Sequence, residues 1–174
     1  GHFQFMPSTY NAYAIDYDKD GIIDIWDSFD DAIASASNYL NSLGWKKDEP
    51  WGLKVSLPWD FDYNKTGYKV TKTLAEWDKM GVRTANGKKI DLNPQLKASI
   101  IIPDGRKANT YMVFSNFKRI MIWNRSENYA LAVSMLADYT DGNNNYKKIT
   151  ERQVDKMMNK LYLMKSATVL SVCK

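Results

Sequence analysis

Apolar and polar positions recur along the chain with two different periods, and the change of period divides it. Pro7 stands where a first helical turn tolerates proline, and Tyr10 and Tyr13 fall three apart, which predicts a short helix. A longer helix follows, with Asp30 and Asp31 near its start, Ala32, Ile33, Ala36, Tyr39, Leu40 and Leu43 on one face, and Gly44 as its stop. Between Pro50 and Phe114 the helical period is lost. Four of the 5 prolines lie there, with short β-prone runs at 53–57, 68–71, 99–102 and 111–114. Within that stretch Thr73-Leu-Ala-Glu76 is a capping box that opens one short helix, ended by Gly81. Helical spacing then resumes. Asn116 is placed to cap 117–123, and Ser126 to cap a helix whose buried stripe is Tyr129, Ala130, Ala132, Val133, Leu136 and Ala137. Asp141-Gly-Asn-Asn-Asn145 is a loop, and Thr150-Glu-Arg-Gln153 is a second capping box before Val154, Met157, Met158, Leu161 and Leu163. The pattern predicts an α+β, mainly α protein: a helical body from 1–49 and 115–174, with a small mixed α/β subdomain at 50–114 inserted into it.

Composition narrows the possibilities. The chain has 174 residues, 44% hydrophobic and 25% charged, which suits one globular domain. No apolar run reaches membrane-spanning length. The single Cys, Cys173, forms no internal disulfide, and the single His, His2, excludes a multi-histidine metal site and argues against a Ser-His-Asp triad. The net charge of +4 hides a segregation, because seven of the 20 acidic residues lie between Asp16 and Asp31 and face one Lys, Lys19. The basic surface elsewhere suits an anionic partner. Tyr alone supplies 11 residues, more aromatic surface than a minimal core needs and the kind that stacks on saccharides. The apolar opening Gly1-His-Phe-Gln-Phe-Met6 reads as the interior of a longer protein.

The acidic stretch carries the sharpest spacing. Asp16, Asp18 and Asp20 occupy positions 1, 3 and 5 of a calcium loop, Gly21 the turn at position 6, Ile22 the carbonyl at position 7, and Asp24 position 9, which binds through water. An EF-hand loop ends in a bidentate glutamate at position 12. Here Asp27 stands there, shorter by a methylene, and Asp30 is the alternative that closes a lengthened loop over 16–30. One such loop without a partner predicts a structural calcium ion rather than a switch.

Four segments in order complete the reading. Gly1-His-Phe-Gln4-Phe5-Met6-Pro7-Ser8-Thr9, the aspartate loop, Trp77-Asp-Lys-Met-Gly81-Val82-Arg83, and Asn116-Phe117 with Trp123-Asn124-Arg125-Ser126-Glu-Asn-Tyr129-Ala130-Leu-Ala132-Val133 resemble the lytic murein transglycosylases of the membrane-bound B type. The resemblance implies a lysozyme-like helical core with an inserted α/β piece. It also implies cleavage of the β-1,4 bond between N-acetylmuramic acid and N-acetylglucosamine in peptidoglycan glycan strands, closing a 1,6-anhydro end. The implied acid and base is one glutamate, and the substrate's own N-acetyl group replaces an enzymic nucleophile. In the family that glutamate precedes the Gln-Phe-Met-Pro segment, so the resemblance puts it before Gly1, and none of Glu49, Glu76, Glu127 and Glu151 stands in its context. The family's groove residues carry over to Gln4, Asn124 and Tyr129, expected on the walls of one groove, with Trp123 where relatives often have tyrosine. Without the resemblance, Gln4 is an ordinary polar residue, Asn124 a cap, and Trp26, Trp45, Trp51 and Trp77 packing residues. Residues 149–163 are also similar to the first helix of a peptidoglycan-binding module, without its glycine-rich continuation.

The expectation is thus a lytic transglycosylase portion that lacks its acid. It is expected in the periplasm or cell envelope, lipid-anchored through a preceding segment, monomeric and without a nucleic-acid partner. A non-catalytic peptidoglycan-binding module and a calcium-binding interaction protein are the competing readings.

Overall fold

The computed structural model describes residues 1–105 and 108–140, so the expected loop at 141–145 and the last helix lie outside the described residues. Two helices come first, α1 (Pro7–Tyr13) and α2 (Phe29–Ser42), joined by the acidic loop. Then follow β1 (Gly52–Ser56), a 3-10 turn (Tyr63–Lys65), β2 (Lys72–Thr73), α3 (Leu74–Lys79), β3 (Arg83–Thr84), β4 (Lys97–Ile101) and β5 (Thr110–Val113), and finally α4 (Ser115–Trp123) and α5 (Glu127–Thr140). The strands form one sheet in the order β2-β4-β5-β1-β3, with every pair antiparallel. Helices and an antiparallel sheet segregated along the chain make this an α+β fold.

Alternation along the strands distributes the core over both faces of the sheet. Ile101, Tyr111 and Val113 point one way, onto Phe117, Ile120 and Met121 of α4 and Ala130, Leu131 and Met135 of α5. Ala98, Ile100 and Met112 point the other way, onto Leu74 and Trp77 of α3 with Val82 and Phe61. Trp77 is fully buried, and its indole N–H donates to the Ala98 carbonyl at 3.0 Å, so the ring is satisfied as well as packed. Gly52 is required where β1 meets β5, since a Cβ there would stand 2.6 Å from the Met112 carbonyl oxygen.

Where the sheet joins the helices, one side chain makes most of the bonds. Asn116 is completely buried in the first turn of α4. Its Oδ1 accepts from the Lys46 amide at 2.9 Å, and its Nδ2 donates to the Lys46 and Glu49 carbonyls at 2.7 and 2.6 Å. Glu49 Oε1 in turn accepts from the Ser115 amide at 2.8 Å, and the Phe114 amide donates to the Trp51 carbonyl at 2.8 Å. The chain therefore leaves the helices and returns to them at one point.

Several expectations are corrected. Asn116 is no cap: α4 starts at Ser115 with Phe114 at the N-cap, and the amide faces inward to backbone distant in sequence. The expected strand at 68–71 is a turn in which the Val70 amide donates to the Gly67 carbonyl, and pairing with β4 begins at Lys72. The stripe expected on α5 holds at Ala130, which is buried, but the inner face continues through Leu131, Ser134 and Met135, whereas Val133, Leu136 and Ala137 are exposed. That helix is apolar nearly all round, so period alone does not choose its inner face. Ile33 of α2 is likewise exposed, and Asp31 and Ser35 are inside.

Replacing Asn116 by Ala removes three hydrogen bonds and leaves the Lys46 amide and the Glu49 carbonyl without that partner, whereas the Lys46 carbonyl keeps the Glu49 amide at 3.2 Å. The expected loss is about 3 kcal/mol of folding stability, read from the urea midpoint at unchanged slope. An unaltered midpoint would contradict the clamp.

Candidate functional site

Two regions hold the chemistry-bearing side chains, one in the loop between α1 and α2 and the other where the start of the chain meets α2 and α4. In the acidic loop, aspartate side chains are turned onto backbone N–H groups. Asp16 accepts from the Lys19 amide at 2.7 Å and the Gly21 amide at 2.9 Å, Asp18 from Asp20 at 3.2 Å, Asp20 from Ile22 at 2.8 Å, and Asp24 from Trp26 and Asp27 at 2.8 and 3.0 Å. Gly21 has φ +92°, which suits glycine at the turn.

The carboxylate that closes this loop is Asp31. It is 1% exposed, and its two oxygens accept from the Tyr17 amide at 2.7 Å and the Asp24 amide at 2.9 Å. Those N–H groups, Asp24 first, hold its carboxyl below the usual carboxylate range. One oxygen each of Asp16, Asp18 and Asp31 lie within 4.8 Å of one another. Asp20, Asp27 and Asp30 are exposed and fall outside that group. Counting loop positions missed Asp31. A signal was present in Ser28-Phe-Asp-Asp31, because the Ser28 hydroxyl caps α2 by accepting from the Asp31 amide at 3.3 Å, and that fixes Asp31 in the first turn facing the loop. Trp26, expected to be packed, is 55% exposed beside Tyr10, ring centroids 5.6 Å apart.

The second region brings the start of the chain onto the end of α4. Phe3 and Phe5 flank Gln4, and their rings lie 6.2 and 5.5 Å from Trp123. Tyr39 of α2 completes the cluster at 5.0 Å from Trp123, with Tyr13 of α1 at 4.8 Å from Tyr39. Gln4 is exposed and has φ 52°, a left-handed conformation unfavourable for a side chain of its kind. Its own amide is held by the Gly1 carbonyl at 3.2 Å. Asn124 ends α4 as an exposed C-cap, its Oδ1 accepting from the Ser126 amide at 3.0 Å. The Gln4 segment and the Trp123-Asn124 pair are therefore neighbours. Tyr129 sits one turn into α5, half-buried against the cluster of Trp51, Phe117 and Ala130, and burial pushes its phenol up. The Ser126 hydroxyl caps that turn, accepting from the Tyr129 amide at 3.2 Å.

The glutamates divide by environment. Glu49 is engaged by Ser115 and by Lys46 at 3.1 Å. Glu76 is locked in its capping box with Thr73, whose N–H first of all keeps the carboxyl low. Glu127 is half-buried, and burial raises its carboxyl. Glu151 lies outside the described residues.

Residues 1–138 match the transglycosylase SLT domain family, and the chain belongs to that family. It is 33% identical over 142 residues to the membrane-bound lytic murein transglycosylase B of Escherichia coli, covering 78% of this chain and 36% of that protein. The chain thus spans little more than a third of the curated relative it matches. Among solved structures it is similar to SltB3 from Pseudomonas aeruginosa in complex with NAG-anhNAM-pentapeptide, at 43% identity and TM-score 0.79 over 82% of this chain and 38% of that one. It is also similar to the Escherichia coli lytic transglycosylase Slt35 in complex with calcium, at 30% identity and TM-score 0.65 over 78% of this chain and 42% of that one. The resemblance read from the sequence is borne out. Among the described residues no helix is long and apolar enough to cross a membrane.

The left-handed backbone at Gln4 can be separated from its side chain. Gln4→Gly should be more stable than Gln4→Ala by about 1 kcal/mol, because only glycine adopts that conformation freely. Chemical denaturation of the two variants checks the order, and Ala equal to or above Gly would refute the strain.

Proposed function

We propose that these residues form part of the glycan groove of a peptidoglycan lytic transglycosylase of the cell envelope. The observation that carries the reading is the packing of Phe3 and Phe5 around Trp123, which unites the Gln-Phe-Met-Pro and Trp-Asn-Arg-Ser segments. In this reading the Gln4 amide hydrogen-bonds a sugar hydroxyl or acetamido group, Asn124 does the same from the end of α4, and Trp123 offers apolar ring surface to a sugar face. The Tyr129 phenol, protonated at neutral pH as tyrosine ordinarily is, donates to the reacting N-acetyl group. A protonated acid at the glycosidic oxygen is the remaining requirement. Glu49 and Glu76 are committed to structural hydrogen bonds, which supports an acid other than these two.

A structural calcium ion belongs to the same reading. Three carboxylates within 4.8 Å repel one another, and a hard dication that takes several oxygen ligands relieves the repulsion. Asp16, Asp18, Asp20 and the Ile22 carbonyl are the ligands on the loop, Asp24 acts through water, and Asp31 supplies the closing carboxylate in preference to Asp27 or Asp30. The ion would join α1, the loop and the start of α2 into one rigid piece beneath the Gln4 segment.

Two outcomes test these statements. Calcium should raise the melting temperature, since it binds the folded state alone, by an amount equivalent to about 2.7 kcal/mol at a hundredfold excess over Kd. Asp31→Asn should abolish the increase, whereas Asp27→Asn should retain it. Coincident melting curves with calcium and with chelator would reject the site. The purified 174-residue chain should retain murein in a pull-down and release no 1,6-anhydromuropeptides detectable by mass spectrometry. Release that disappears in Glu127→Gln would instead make Glu127 the acid.

A further inference from the structure

The face of α4 opposite Trp123 opens onto a second concavity. Lys118, Met121 and Ile122 lie on one side of the helix, and Arg125 follows just past its end, so these four share a face while Trp123 points away. Across from them stand Tyr68 and Lys69, in the turn between Gly67 and β2. The six residues line an open cavity of about 490 Å³ between the sheet region and the helical body.

Its chemistry differs from that of a neutral sugar groove. Three cations meet there, and among the described residues no ion pair neutralises Lys69, Lys118 or Arg125. Lys69 lies 5.9 Å from the centre of the Tyr68 ring. Lys118 is half-buried and its Nζ has a hydroxyl partner, Thr71 Oγ1 at 2.6 Å. Burial first, and then the neighbouring Arg119, push its ammonium below the usual lysine range. A desolvated cation with only a hydroxyl beside it is completed by an anion. The walls are apolar at Met121 and Ile122, so the anion that fits is carried on a short chain with small nonpolar groups, not a bare ion.

We propose that this pocket receives a carboxylate of the peptide stem attached to the glycan. The assignment rests on the peptidoglycan reading for the choice of ligand. A pentapeptide ends in a carboxylate borne on an organic chain, and the P. aeruginosa relative is known in complex with a pentapeptide-bearing disaccharide. In this arrangement the groove at Gln4 and Trp123 reads sugar, and the far side of α4 reads the peptide.

Calorimetric titration of the chain with NAG-NAM-pentapeptide, with peptide-free NAG-NAM and with the free pentapeptide separates the two. The peptide-bearing disaccharide should bind about tenfold tighter than the bare one, the scale of one charge-assisted hydrogen bond. In Lys118→Gln and in the exposed Lys69→Gln, checked for native circular dichroism, that ratio should fall toward one, and Lys69→Arg should keep it. Equal affinities in the unmodified chain would overturn the proposal, as would a ratio unchanged in both Gln variants. Displacement of the peptide by inorganic phosphate at equal concentration would also overturn it, in favour of a general anion site. If neither disaccharide binds through its sugars, yet the free pentapeptide binds and Lys69→Gln weakens it, the pocket stands and the glycan groove does not.

Discussion

The strands can stand between α2 and α4 only if the two ends of their segment meet, and the buried Asn116 amide, with the Glu49 carboxylate on the Ser115 amide beside it, holds those ends together. Asn116 bonds Lys46 and Glu49 backbone from the start of α4, some 70 positions away along the chain. Loop closure over that length is costly before any contact rewards it, and a buried amide with all its partners satisfied fixes the junction without leaving an orphaned group. The consequences spread in both directions. On one side β5 runs straight into α4, so the sheet faces and the α4–α5 pair share one core. On the other, the end of α4 is set where Trp123 meets Phe3, Phe5 and Tyr39.

The acidic loop shows the same economy with charge in place of packing. Asp31 is the only aspartate of the seven that is buried, and it faces N–H groups from both ends of the loop. Those donors fix the approach of α2 before any ion is considered. The remaining carboxylates turn onto local amides, which shapes the loop and leaves their other lone pairs free for a cation.

Legibility in the sequence followed the range of the interactions. The Thr73–Glu76 box, the Ser126 cap and the bounds of α2 were readable because each depends on partners three or four residues away. Asn116 was misread because its partners are distant, and from local sequence a buried amide and a cap look alike. The inner face of α5 was misread because neighbouring elements, not its own period, decide which apolar side is covered. Asp31 was passed over in favour of Asp27 and Asp30 because a loop count assumes a fixed loop length, whereas burial at the first turn of α2 is a tertiary fact. At Gln4 and Asn124 spacing alone gave no functional signal. Their interest came from resemblance, and the structure adds that Phe3 and Phe5, on either side of Gln4, pack against Trp123 next to Asn124.

The two borders of the sheet are its shortest members, β2 and β3, with two residues each. An unpaired strand border is a template on which another polypeptide can add itself by backbone hydrogen bonding. Borders this short offer too few successive donors and acceptors to hold a visiting strand in register. Lys72 and Arg83 add charge there. The sheet is thereby closed to edgewise growth into aggregates, while its two faces remain fully used for folding.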